Sequence, residues 1–574
     1  MPLAEELWYI PHFRSTTAGE RIVLENALGV REVSPNQARL LGLLPSLSSW
    51  QELMSAIRAA TYPPLSQTSC TAFLEMIRDT RLLISLSTIE KILPSRDRPS
   101  SADTIIIFTR DRPHALRNAL DSAQRLVRSD ANTRQIVIFD SSGTSAVSSH
   151  NRDIASSSGN KAISYVGLKE LAAYRDRLWA AGASATAIEG LWASVRVNFS
   201  AGSARNLALL RHQGQRLLLV DDDVDCRFMT HSSTRPERLS FVKDGSDHYI
   251  EFPWQPDAWA ASALTPDRDV LQDTFDLLGR SIAELTRNWR GERVLNQPAR
   301  DMIMSESGRV RQVRAVTFGI CGDSGCFTGD WLGLRSREYI TPTVCKSRDP
   351  KINLYLSNRN IVDIARSLEL PEHSPFMCYS VALDNRDGEL PPFPPTHRNE
   401  DGVFGQMLRN AWGSCVAVSP FGVYHFPKPK DTEYGSGADL RVSDILLHLV
   451  TTACSPSGRD DLDGLMETVA SAISASNNRQ GVISIAREIY QSRIERCDSL
   501  LAIATQWHAP NETVAYLTRL RQILVQNLSE ASSPFYKIHF LDAVEEDAHA
   551  YLTRYQDTLL TWSDVRSAAQ NLIS

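Results

Sequence analysis

Hydrophobic and polar positions along the chain fall into three patterns, one after another. In residues 1–90 short apolar stretches at helical spacing alternate with strand-like pairs. Residues 21–25 and 30–33 read as strands around the turn-prone Ala27-Leu28-Gly29. Pro35 opens a helix through Leu44. Ser48-Ser49 can cap a second helix that places Trp50, Leu53, Met54 and Ile57 on one face. A third helix carries Phe73, Leu74 and Ile77, and Leu82-Leu83-Ile84 closes as a strand, which gives a winged-helix-like α+β layout. The polar stretch 87–103, with Pro94 and Pro99, reads as a linker, with its core at 91–103.

The pattern then changes. Ile105-Ile106-Ile107-Phe108, Ile136-Val137-Ile138-Phe139 and Leu217-Leu218-Leu219-Val220 are unbroken apolar runs between polar flanks. Such runs are strands covered on both faces. Leu116, Ala119, Leu120, Ala123, Leu126 and Val127 recur at helical spacing between the first two runs, so a βαβ unit of a parallel sheet is predicted. Ala201-Gly202-Ser203-Ala204 opens a helix to about His212 that feeds the third run, its small residues permitting close approach of a ligand or of backbone. Residues 269–287 read as helical, and 416–418 as a strand. Beyond residue 438 only helical spacing is left, in 444–450, 465–473, 483–490, 499–507, 514–528 and 548–562. The expected class is therefore α/β: a module over 1–90, a Rossmann-like domain over 104–435 and an α-helical region over 436–574.

Composition narrows what this architecture does. A chain of 574 residues exceeds what one core organises, so several domains are expected. A net charge of -6 gives no whole-chain signature of nucleic-acid binding, and the 1–90 helices carry few clustered Lys or Arg, which argues against a DNA-binding winged helix. No apolar run is long enough to span a bilayer. The N-terminus lacks the layout of a signal peptide. Nine cysteines without a C-x-x-C pair point to a reduced, cytoplasmic protein, with Cys321 and Cys326 structural.

Candidate chemistry gathers at strand ends. The third run stops in Asp221-Asp222-Asp223-Val224-Asp225. Carboxylates cannot stay in an apolar core, so they emerge at the strand's C-terminal end, where ligands of open α/β sheets collect. Three adjacent acids repel one another and call for positive charge among them. Hard oxygen ligands suit Mn²⁺ or Mg²⁺, which can hold a diphosphate; a solvated acidic turn is the bland alternative. Asp225 is peripheral. Asp140 ends the second run, and Arg205 can reach a phosphate. Glu400 and Asp401, in His397-Arg398-Asn399-Glu400-Asp401-Gly402-Val403-Phe404-Gly405, begin a helix, where the helix dipole keeps carboxylates ionised and able to accept a proton. Gly322-Asp323-Ser324-Gly325 is a tight turn without the remaining protease pattern. His425 sits among aromatics, as a core residue or as a metal ligand, and Lys428 and Lys430 follow it.

In their order, IIIFTRDRP, IVIFDSSG, AGSARNLAL and LLLVDDDVD resemble the nucleotide-sugar half of a GT-A fold glycosyltransferase, of the inverting class related to family 2. The resemblance implies that Thr109, Arg110 and Asp140 line a nucleoside pocket and that Arg205 faces the diphosphate. It makes the acidic run a DXD-type motif, Asp221 and Asp222 toward the donor and Asp221 and Asp223 toward Mn²⁺ or Mg²⁺, with His425 a further ligand. Its donor is a UDP- or GDP-sugar. The Glu400-Asp401 stretch resembles the acceptor-site motif of the same enzymes, which implies Asp401 as general base and Glu400 as its support; Asp323, in the Gly-rich loop 322–325 beside the donor sugar, reads as an acceptor-side contact or as plain turn chemistry. Trp259 and the aromatic stretch 251–256 read as a sugar-stacking loop or a packed surface loop. Residues 1–90 resemble the leader-peptide recognition element of enzymes that modify ribosomal peptides, through the strand pair, the Ser-Ser-Trp-Gln-Glu-Leu helix start and the Arg-Asp-Thr-Arg-Leu-Leu-Ile end. That resemblance implies a peptide acceptor whose leader adds as a strand to the sheet edge. A polysaccharide, lipid-linked or small-molecule acceptor, or a non-catalytic binding protein on the same scaffold, stays open.

Overall fold

The computed structural model describes residues 6–19, 21–26, 28–92, 103–128, 134–192, 201–242, 247–251, 253, 255–295, 302–305, 307–325, 359–372, 376–426, 438–453, 461–506, 508–509, 511–531, 540 and 545–573. A mixed sheet organises the α/β domain. Asp103–Thr109 pairs in parallel with Gln135–Asp140 on one side and with Gln215–Asp221 on the other. Phe108 lies opposite Asp221 and Thr109 opposite Asp140, so the polar ends of the three apolar runs line up along one sheet edge. Ile163–Val166 extends the parallel half. Beyond Gln215–Asp221 the sheet changes hand: Ser380–Asn385 enters antiparallel, followed by Ala315–Asp323 and then Val416–His425, which runs parallel to Ala315–Asp323.

The strands alternate between two cores, as runs buried on both faces require. Ile105, Ile107, Leu218 and Val220 pack with Leu116, Ala119, Leu120 and Ala123 of the helix Pro113–Arg128, and with Val270–Leu277 and Ile282–Asn288. The predicted helix over 269–287 is thus two, broken where Gly279 takes φ 78°. Ile106, Leu217 and Leu219 face the other way, into a core shared with the C-terminal helices.

Those helices are Val442–Thr452, Leu462–Ser476, Arg479–Gln506, Asn511–Ala531 and Glu545–Asn571. The separate segments expected at 483–490 and 499–507 are one helix, because nothing in between breaks it; Trp507 lies outside the described residues. The region is not an appendage. Trp562 Nε1 donates to the Leu390 carbonyl at 2.8 Å and Tyr555 to that of Pro392 at 3.2 Å. No described helix is long and apolar enough to cross a membrane.

In the N-terminal module, Arg14–Ala18, Arg21–Asn26 and Gly29–Val33 form an antiparallel sheet. Its helices are Pro35–Leu43, Trp50–Ala60 and Gln67–Asp79; the first two start with capping boxes, Ser34 with Gln37 and Ser49 with Glu52. Leu24, Leu41, Leu53, Ile57, Leu74 and Ile77 make a core of their own. The strand expected at 82–84 begins only at Ile84, because the Leu82 and Leu83 N–H groups turn back to the Ile77 carbonyl at 2.9 and 3.0 Å. The sequence reading also missed Leu7–Tyr9, which pairs with Leu47–Ser49 and Ile84–Ser85. Part of the expected linker is structured too: Leu86–Ile92 is a helix whose Leu86 and Ile89 pack into the α/β core, and Asp103 already begins a strand and pairs with Arg216 at 2.7 Å. Residues 93–102 lie outside the described residues.

Candidate active site

The three acids leave the sheet together and then part, Asp221 toward one arginine and Asp222 and Asp223 toward another. Backbone bonds from Asp221 to Tyr379 and from Asp222 to Phe108, both 3.1 Å, hold the turn against neighbouring strands. Asp222 is fully buried, accepts from the Thr109 hydroxyl at 2.7 Å and pairs with Arg112. Burial pushes its carboxyl up to about 7, with Arg112 pulling the other way. Asp223 meets Arg112 at 2.7 Å and His425 Nε2 at 3.1 Å. Asp221, the most open of the three, pairs with Arg205 at 2.8 Å. Asp225 stays to the side, with Arg227 at 3.0 Å.

The demand for positive charge among these acids was legible in the sequence; its source was not. Arg112, in the same Thr109-Arg110-Asp111-Arg112-Pro113 loop that supplied Arg110 as a candidate, is the side chain that bridges two of them. Arg110 lies beside Asp111 at 3.8 Å.

Across the site, Glu400–Trp412 starts from Asn399 in the left-handed region, φ 66°. Buried Val403, Phe404, Met407 and Leu408 seat this helix, and Gly405 leaves room for Phe376, whose Cβ would lie 2.2 Å from an added methyl. Glu400 pairs with Arg205. Asp401 accepts N–H groups from Gly402 at 2.8 Å and Cys378 at 3.3 Å. Burial pushes Glu400 up to about 7 and raises Asp401 as well, against the pull of Arg205. The helix dipole, expected to keep both fully ionised, is outweighed by desolvation.

Arg205 therefore sits between the two motifs and not in an open phosphate site. Its side chain is 4 % exposed. The small residues around it serve backbone approach: a Cβ on Gly202 would fall 1.8 Å from the Pro394 carbonyl oxygen, Ser203 donates to Pro395, and Asn206 exchanges two bonds with Phe393 at 2.8 and 2.7 Å.

His425 ends the strand Val416–His425, beside Gly322, whose φ of 116° and missing Cβ let the His425 carbonyl close in. Its Nδ1 donates to the Asp323 carbonyl. That bond orients the ring and turns Nε2 toward the Asp223 carboxylate, 3.1 Å away, where a proton on Nε2 or a bound cation would join the two. An imidazole nitrogen and a carboxylate oxygen brought together in this way are a donor pair that would suit a divalent cation such as Mn²⁺. Asp221, expected as a ligand, turns to Arg205, and no set of three His, Cys, Asp or Glu among the described residues is arranged to hold a metal. Asp221, Asp222, Asp223, Glu400 and Asp401 thus converge around two arginines, Arg112 and Arg205.

Other expected residues are placed differently. The Asp140 carboxylate is buried and bonded to the Ser142 N–H at 2.8 Å, Asn151 at 3.1 Å and the Tyr165 hydroxyl at 2.6 Å, so it shapes the strand end from inside. The Asp323 carboxylate pairs with Arg359 at 2.5 Å and accepts from the Gly325 N–H, so it caps its own turn. Trp259, expected on a loop, lies on the helix Pro256–Ser262, where it stacks on Tyr249 and packs with Met229, Cys321 and Tyr424. Phe252, Trp254, Cys326, Lys428 and Lys430 lie outside the described residues.

No family model matches the sequence, and no curated protein does. Among solved structures the chain is similar to S. aureus TarS 1-349 in complex with UDP-GlcNAc, at 12% identity over 75% of this chain and 90% of that one, with a TM-score of 0.31. It is also similar to the mannosyltransferase PcManGT from Pyrobaculum calidifontis in complex with GDP-Man and Mn2+, at 12% identity over 78% and 93%, with a TM-score of 0.29. Superpositions this loose carry no residue-by-residue assignment.

Proposed function

We propose that the chain is an inverting glycosyltransferase that moves a sugar from a UDP- or GDP-sugar to an acceptor hydroxyl or thiol. The observation that carries this reading is the meeting, at one sheet edge, of the acidic run with the Glu400-Asp401 pair. The nucleotide lies across the ends of Asp103–Thr109, Gln135–Asp140 and Gln215–Asp221, at the switch between the parallel and antiparallel halves. Asp221 is the more open of the acids there and faces the donor, while Thr109 orients Asp222 beneath it. Asp223 and His425 would hold a divalent cation, which would supply positive charge to the departing diphosphate.

Asp401 takes the acceptor's proton. The Gly402 and Cys378 N–H groups hold its carboxylate in place, and a base that activates the acceptor on the face opposite the leaving group inverts the anomeric centre. Glu400 stands next to it as an oriented neighbour. Asp401→Asn keeps donor binding and lowers transfer by about 10²- to 10⁴-fold. Normal transfer by that variant, followed by product mass spectrometry, removes Asp401 as the base.

The acceptor in this reading is a ribosomally made peptide presented by the N-terminal module. The exposed strand Arg14–Ala18, which ends its three-stranded sheet among the described residues, supports it, since an extended peptide can add to such an edge. Six described cysteines are free and buried, which suits a reducing cytoplasm. An Asp401-dependent enzyme that glycosylates a precursor equally well with and without its leader would leave the donor chemistry standing and remove the peptide-recognition role.

A further inference from the structure

One side chain spans the donor and acceptor halves of the site. Arg205 lies on the helix Ala201–Arg211, between the strand that ends in Asp221 and the helix that begins at Glu400. One guanidinium nitrogen pairs with Asp221 at 2.8 Å and also approaches the Cys378 carbonyl at 3.5 Å; the other pairs with Glu400. The Cys378 N–H in turn donates to Asp401 at 3.3 Å. The rings of Phe108 and Phe393 flank the guanidinium, 5.6 and 5.8 Å from its centre, and close it off from water. Its Nε is buried without a hydrogen-bond partner among the described residues, so the fork is aimed at the two carboxylates at the expense of its own full satisfaction.

A planar, permanently charged fork can grip two carboxylates in fixed directions; an ammonium cannot. Building on the transferase reading, we infer that Arg205 is a positioning residue that ties Glu400, and through Cys378 Asp401, to the donor-side acid Asp221, and that it does not touch the donor diphosphate. This departs from the role the sequence resemblance gave it. The groups facing the guanidinium are Asp221, Glu400, Asp401 and Cys378, so its loss acts on both ends of the reaction at once.

The test uses full-length Arg205→Lys and Arg205→Met. Donor affinity by calorimetry, steady-state transfer across pH and a ¹³C-carboxyl NMR titration of Glu400 are measured for each. Arg205→Lys is expected to keep donor affinity and donor KM, to lose about 10²-fold in kcat, and to move both the rising limb of the pH profile and the Glu400 titration up by about one pH unit. Arg205→Met is expected to do the same more strongly, with some loss of folded protein. A raised donor KM with unchanged kcat and pH profile makes Arg205 a diphosphate ligand and overturns the inference. Lower kcat in proportion to lost folded protein, with both pH readouts unmoved, makes it structural only and overturns it too. Should the wild type transfer no sugar, the transferase reading fails by itself; the Glu400 titration then still decides the link, supporting it if it moves in Arg205→Lys and overturning it if it does not.

Discussion

Leu74 and Trp562 are both fully buried, but against different things. Leu74 packs with Leu24, Leu53, Ile57 and Ile77, all inside the N-terminal module. Trp562 packs in one continuous core with Ile106, Leu217 and Leu219 of the central sheet, and hydrogen-bonds the Leu390 carbonyl. In the sequence the two ends look alike, as amphipathic segments flanking an α/β domain. In the structure the first is a module with its own core, joined at a seam through Tyr9, Leu86 and Ile89. The second is a wall of the α/β domain. It presses on the backbone of Leu390 and Pro392, which runs into the Phe393–Pro395 stretch that holds the Arg205 helix, and Asn410 ties the Glu400 helix to the Val450 carbonyl at 2.7 Å. Amphipathicity tells which face of a helix is buried, not whose core it enters.

The largest expected effect separates these two cores directly. Trp562→Ala loses about 3–5 kcal/mol and lowers the unfolding transition of the catalytic domain, with sugar transfer falling alongside. Leu74→Ala loses about 2–5 kcal/mol, confined to an earlier, separate calorimetric transition, and leaves donor hydrolysis intact. One concerted transition lowered equally by both substitutions breaks the distinction.

A smaller effect is carried by pH. Burial raises Glu400 from its ordinary 4.5 to about 7 in the folded protein. A carboxyl raised in this way contributes stability that is fully present below about 4.5 and lost as pH rises through about 7. In the transferase reading, transfer runs in the opposite sense, rising over the window in which Glu400 ionises. Glu400→Gln is expected to flatten the corresponding part of the stability slope, read from urea midpoints at pH 4.5 and 8. The comparison is sharpened in the core variants: loosening the wall by Trp562→Ala hydrates Glu400 and moves the activity limb to lower pH, while Leu74→Ala leaves it in place.

The smallest effect lies at a helix end. Ser49 caps Trp50–Ala60 with Glu52 closing the box, so Ser49→Ala costs about 1 kcal/mol in the N-terminal transition alone. A matching shift in the catalytic transition, seen by differential scanning calorimetry, would tie the two units more tightly than the separate core implies.

Three apolar runs were readable almost residue by residue, because a strand covered on both faces needs an unbroken apolar sequence and stops where charge begins. The same logic placed Asp140 and the acidic run at one sheet edge and asked for cations among the acids. The antiparallel Ser380–Asn385 and the strands around it gave no comparable signal before the structure placed them. The sequence also favoured Arg110 in the nucleoside pocket and Arg205 on phosphate; the folded chain set Arg112 between Asp222 and Asp223 and spent Arg205 on Asp221 and Glu400.

What the sequence determined by itself was the local material: which segments are strand or helix, where capping boxes start, and that too many carboxylates converge for the site to do without positive charge. Tertiary structure alone decided which cation meets which acid, that burial raises Glu400 at its helix start, and that the last helices are a wall of the α/β core. The physical reason is range. Propensity, capping and periodicity act within a few residues, whereas ion pairing and desolvation depend on groups brought together from distant parts of the chain.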